Sequence, residues 1–90
     1  MKNYTIDLRD VYNMDDLQKT LVRELPLPAY YGNNLDALHD EMTEWTEQIR
    51  IDFQHVGQAE VMMPRYMKAL RRLCRDVQEE CSNIEIQFQE

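Results

Sequence analysis

Three five-residue stretches in which apolar and polar residues alternate restrict the fold of this chain more than any other feature: Tyr4-Thr5-Ile6-Asp7-Leu8, Ile49-Arg50-Ile51-Asp52-Phe53 and Ile84-Glu85-Ile86-Gln87-Phe88. A period of two puts apolar side chains on one face of a strand and polar ones on the other. Segments with helical periodicity separate the three, and strands alternating with helices build a parallel sheet. Fully covered parallel strands are apolar on both faces, whereas these keep polar alternate residues, so helices are expected on one face only. Right-handed crossovers fall on the same face only if the chain steps across the sheet in one direction. The expected architecture is α/β, a two-layer, three-stranded parallel sheet in order 1-2-3.

The intervening segments carry their own punctuation. Asn13 is a candidate N-cap, with Asp15 and Asp16 in the first turn and Leu17, Leu21 and Leu25 forming a buried stripe to the helix end at Leu25. Pro26 and Pro28 forbid its continuation and stiffen the loop 26–32. A second helix starts near Asn34, with Leu35, Leu38, Met42 and Trp45 as its buried stripe. A short helical piece is expected near 58–63, with Met62 and Met63 as core filler. Pro64 then opens a long helix whose apolar stripe is Met67, Leu70, Cys74 and Val77. His55 reads as a solvent-facing loop residue, Trp45 as a core aromatic, and Tyr30 and Tyr31 as either loop anchors or surface contacts.

Charge narrows the function. Ninety residues make one domain, 1–90, and 17 acidic residues against 10 basic give a net charge of −7. Such a surface disfavours nucleic acid and anionic membranes and favours a basic protein partner. No segment approaches the roughly 20 apolar residues of a membrane span, and the first residues lack a secretory apolar run, so a cytoplasmic protein is expected. Cys74 and Cys81 lie seven apart in one helix, about 10 Å at ~1.5 Å per residue, beyond disulfide reach, and are expected as reduced thiols.

The acids are not evenly spread. Asp36, Asp40 and Glu44 recur every four residues on one face of the second helix, where like charges destabilise an isolated helix by roughly 0.2–0.5 kcal/mol per pair. The long helix carries Arg65, Lys68, Arg71, Arg72 and Arg75, five of the ten positive charges. A solvated face, with Arg72 and Arg75 paired to Asp76 and Glu79, explains these better than nucleic-acid binding does. Asp36, His39 and Asp40, at i, i+3 and i+4, have a spacing that can serve a divalent metal. A single exposed helix supplies no further shell of ligands, no nucleophile–base set accompanies them, and neither metal, cofactor nor enzymatic activity is expected.

The run Tyr30-Tyr31-Gly32-Asn33-Asn34-Leu35-Asp36-Ala37-Leu38, followed by Asp40 and Trp45, resembles the barstar family, intracellular inhibitors of guanyl-specific extracellular ribonucleases of the barnase type. Asn33 is a conservative exchange within it. Where the family's best-known inhibitor has tryptophan, cysteine and glycine, this chain has His39, Glu41 and Glu44. The resemblance covers essentially the whole chain and implies the same 1-2-3 sheet. It further implies a monomer that forms a 1:1 complex, with the loop and acidic helix plugging a cationic active site. Carried over position by position, the contact set is Tyr30, Asn34, Leu35, Asp36, His39, Asp40, Thr43 and Trp45, with Asp76 and Glu80 from the long helix. Asp76 stands where the family has glutamate and is one methylene shorter. The other reading is an acidic protein-interaction module with no effect on ribonuclease activity.

Overall fold

A computed structural model describes all residues, 1–90. The elements run β1 (Lys2–Asp7), α1 (Met14–Glu24), α2 (Leu35–Glu44), β2 (Ile49–Gln54), α3 (Val56–Met62), α4 (Pro64–Glu80) and β3 (Ile84–Phe88). The strands pair in parallel in the order β1-β2-β3, with Lys2 opposite Ile49 and Ile49 opposite Ile84. Ile6, Ile49, Ile51, Phe53, Ile84 and Ile86 are buried beneath the helices. Thr5, Glu85 and Gln87 on the other face are exposed, and Arg50, Asp52 and Gln54 are half-buried. The two-layer arrangement follows from this alternation, because only one side of each strand has apolar area to lose to the core. No helix is long and apolar enough to cross a membrane.

Local chemistry sets the element ends. Asn13 accepts a hydrogen bond from the Asp16 amide, and Asn34 accepts one from Ala37 N at 2.7 Å, so both helices start on a side-chain oxygen that satisfies a free amide. Pro64 occupies the first turn of α4, where its missing N–H is no loss. Helix α1 closes as expected, with Leu25 capping it and its N–H bonded to Leu21 O. Strand β1 is displaced from the expected 4–8: it begins at Lys2, which pairs with Ile49, and stops at Asp7. Leu8 lies beyond it, still buried and still donating its amide to Gln54 O. The short helix α3 spans Val56–Met62 rather than 58–63.

Burial corrects three further expectations. In α2 only Leu38 and Met42 are fully buried; Leu35 and Trp45 lie at the margin, packed against the core while keeping one side in solvent. Ten residues are under three turns, so the two ends of the stripe overrun the layer beneath. Of the methionine pair, Met63 is buried and Met62 exposed, because adjacent residues at a helix end point in different directions. Arg72 and Arg75 do not pair with Asp76 and Glu79. The α4 cation that does pair is Arg71, 2.8 Å from Glu60 and 4.5 Å above the Phe88 ring, while Arg72 and Arg75 line a shallow depression with Lys68 and Arg71. The stripe Met67, Leu70, Cys74 and Val77 is buried as expected, joined by Leu73. Cys74 and Cys81 are free thiols.

Candidate partner-binding face

Helix α2 lies against α4, and the seam between them gathers half of the expected contact residues. A shallow cleft of about 250 Å³ is lined by Leu35, Asp36 and His39 from α2 and by Ala69, Arg72, Leu73 and Asp76 from α4. Its floor is apolar and its rim charged. His39 turns toward α4, its Nε2 3.1 Å from Glu80 Oε2, while Nδ1 stays 3.8 Å from Asp40 Oδ1. Leu35, Asp36, His39, Asp76 and Glu80 are thus brought together from positions 35 to 80. Ala69 and Leu73 were not singled out from the sequence, and Arg72 was expected only on a solvated face paired to a nearby acid. Their signal was there, because 69, 72, 73, 76 and 80 fall on one flank of a helix at spacings of three and four.

Electrostatically, α2 is unlike the rest of the molecule. It carries Asp36, Asp40, Glu41 and Glu44 and no lysine or arginine. Elsewhere several acids have cationic neighbours: Asp7 with Arg9, Asp15 with Lys19, Glu47 with Lys2, Asp52 with Arg50 and Glu60 with Arg71. Hydrogen bonding to Arg9 holds the Asp7 carboxyl below its usual range. Asp40, whose side chain is 82% exposed, has only the His39 ring within 4 Å. The carboxylates of α2 therefore face solvent with no internal cation to neutralise them, and their field is available to something else.

The remaining expected residues divide by location. Asn34 is the α2 N-cap, and its Nδ2 also donates to Gly32 O at 3.1 Å, which closes the loop onto the helix. Tyr30 projects from that loop, 81% exposed, beside Tyr31, which is only 7% exposed. Asn33 adopts a left-handed backbone with φ 55°, a conformation asparagine tolerates better than most residues. Thr43 donates its hydroxyl to the Asp40 carbonyl at 3.0 Å. Trp45 does not join the seam. It lines a separate depression of about 240 Å³ with Lys2, Tyr4, Pro26 and Ile49, and its carbonyl accepts from Asn83 Nδ2 at 2.8 Å. No three acidic, histidine or cysteine side chains are grouped to hold a metal ion.

With this geometry in place, comparison with known proteins is decisive for the family. A family model described as "Barstar (barnase inhibitor)" matches residues 1–89. The chain belongs to the barstar family. Its members are inhibitors rather than enzymes. A curated protein of Bacillus subtilis (strain 168), "Putative ribonuclease inhibitor YrdF", is 45% identical over 47 residues. That alignment covers 52% of this chain and 52% of the relative, so the chain spans about half the length of the curated relative it matches.

Proposed function

We propose that this chain inhibits a guanyl-specific extracellular-type ribonuclease of the barnase kind, as a cytoplasmic monomer in a 1:1 complex that blocks the enzyme's cationic active site. The observation that carries the reading is the unpaired acidic face of α2, on a chain of the barstar family. A ribonuclease site must be cationic to hold RNA phosphates, and carboxylates on a rigid helix can take the phosphate positions. Asp40 is the central phosphate mimic. Asp36 flanks it on α2, with Asp76 and Glu80 on α4. Tyr30, Asn34, Leu35, His39, Thr43 and Trp45 complete the contact. Asp76 is short, and the Arg72 beside it in the cleft repels a cation, so the α4 side of the contact is the weaker one. Net charge adds long-range attraction. The barnase–barstar pair is itself a reference system for steered association at ~10⁸–10⁹ M⁻¹s⁻¹ in low salt, so that rate is a family precedent and not a value worked from this structure.

The test is a titration into a barnase-type ribonuclease while RNA cleavage is followed. Activity should fall linearly and end near one equivalent. If micromolar protein leaves several guanyl-specific nucleases fully active, the acidic interaction module becomes the better reading.

A further inference from the structure

The acids of α2 can only serve a partner if the loop and helix that present them are held in one place, and the structure holds them through a residue far from the contact face. Gln18 on α1 is a polar side chain only 5% exposed, an expensive choice for a core position unless both ends of its amide are used. Both are. Its Oε1 accepts the Tyr31 hydroxyl at 2.6 Å, and its Nε2 donates to the Tyr66 hydroxyl at 2.8 Å. The same Tyr31 hydroxyl lies 3.1 Å from the carbonyl of Asn34, the residue that caps α2. A polar link thus runs from α4 through α1 to Tyr31, whose single hydroxyl proton goes to Gln18 Oε1 at 2.6 Å and is shared at longer range with the Asn34 carbonyl at the start of the acidic helix. It enters the loop one residue from Tyr30 and ends two residues before Asp36. No other side-chain hydrogen bond links α1 to this loop.

We propose that Gln18 is a positioning residue for the inhibitory face: it fixes the loop 28–34 and the start of α2 against α4 before any partner arrives. The idea rests on the inhibitor reading above. An aliphatic residue of similar size would fill the same volume but remove the nearer of the two acceptors of the Tyr31 hydroxyl, leaving only the Asn34 carbonyl of its own loop. The Tyr31 ring would then be tied to the loop and not to α1, and the two would be free to move together. Binding would have to order the loop first, a cost that appears as lost affinity without loss of any contact group.

The experiment uses the whole chain and three variants. Gln18→Leu removes both ends of the link; Tyr66→Phe removes only the hydroxyl at the remote end; Val77→Ala opens the core of α4 as a control for stability alone. For each, denaturant unfolding gives stability, amide hydrogen exchange reports the loop in the free protein, and a nuclease titration gives affinity. Gln18→Leu should speed exchange selectively at Tyr31, Ala37 and Leu38 and weaken nuclease binding roughly tenfold. Tyr66→Phe should do the same to a smaller degree. Val77→Ala should be destabilised with affinity unchanged. Exchange at the loop that is unaltered in Gln18→Leu and Tyr66→Phe overturns the proposal, whether or not any nuclease is inhibited. So does faster exchange with affinity equal to that of the unmodified chain. A chain that inhibits no nuclease, yet shows the selective exchange change, supports the positioning role and defeats the inhibitor reading instead.

Discussion

Replacing Asp40 by alanine should move stability and binding in opposite directions. In the free protein Asp40 has no lysine or arginine partner, and its contact with the His39 ring 3.8 Å away is exposed and worth at most about 1 kcal/mol. Against that stand two like-charge pairs, with Asp36 one turn before and Glu44 one turn after, each unfavourable by roughly 0.2–0.5 kcal/mol. Alanine is also the better helix former by up to about 0.7 kcal/mol. The net change in folding free energy should lie between about 0.6 kcal/mol against the variant and about 1.7 kcal/mol in its favour, centred on a small gain. In a domain of this size each kcal/mol raises Tm by about 4–8 °C. In the complex the same carboxylate would face the nuclease's cations in a desolvated interface. One unit pair at 4 Å is worth about 4 kcal/mol at an effective dielectric of 20, and truncation also strands the cations it covered. Affinity should therefore drop at least several-hundredfold. Calorimetric melting and inhibition titrations on the same preparations supply both numbers. A variant that loses stability while inhibiting as well as the unmodified chain would place Asp40 in an internal ion pair and remove the acidic plug from α2.

Association with the nuclease should slow at least tenfold between about 10 and 150 mM salt, as the Debye length contracts from ~30 to ~8 Å, and stopped-flow rates indifferent to salt would contradict capture by charge. The Tyr31 phenol, pushed up to about 12 by burial, resists ionisation in the fold, while the unfolded chain ionises it near its ordinary value of 10.0. Its contribution to stability is complete below about pH 10 and is lost as the pH rises through 12, so urea midpoints of Tyr31→Phe and the parent should converge over that window. A gap that stays constant would mean the phenol ionises freely in the fold. Cys74, buried with its thiol pushed up to about 12, should escape a thiol reagent that labels the half-buried Cys81, and equal labelling of both would show that α4 opens readily.

Much of the fold could be read from the chain because its signals are local. A five-residue alternation, an asparagine before a helical stripe and a proline at a first turn each act within a few residues, and each is satisfied in place at Ile84–Phe88, Asn13, Asn34 and Pro64. The placement of the candidate site was legible in part, through α2 and, by the family resemblance, through the flank of α4 bearing Asp76 and Glu80. Contacts that depend on which elements become neighbours were not. Gln18 is unremarkable in sequence, a polar residue beside Leu17, and becomes meaningful only because Tyr31 and Tyr66 arrive from 13 and 48 residues away. His39 was expected among the acids of its own helix and instead reaches across to Glu80. Arg72 and Arg75 had acids within easy helical spacing and left them unpaired, because a neighbour at i+4 is an opportunity for an exposed side chain and not a constraint.

The claim at the centre of this account is that the face formed by the loop 30–34, α2 and the adjoining edge of α4 covers the active site of a ribonuclease. Amide hydrogen exchange of the chain, free and saturated with a barnase-type nuclease, tests it directly. Protection gained on binding should concentrate at Tyr30 to Thr43 and near Asp76 and Glu80, and leave β3 and the part of the basic ridge away from the cleft, at Lys68, Arg71 and Arg75, unchanged. Protection centred on that basic ridge or on the open face of the sheet, with α2 exchanging as in the free protein, would contradict it.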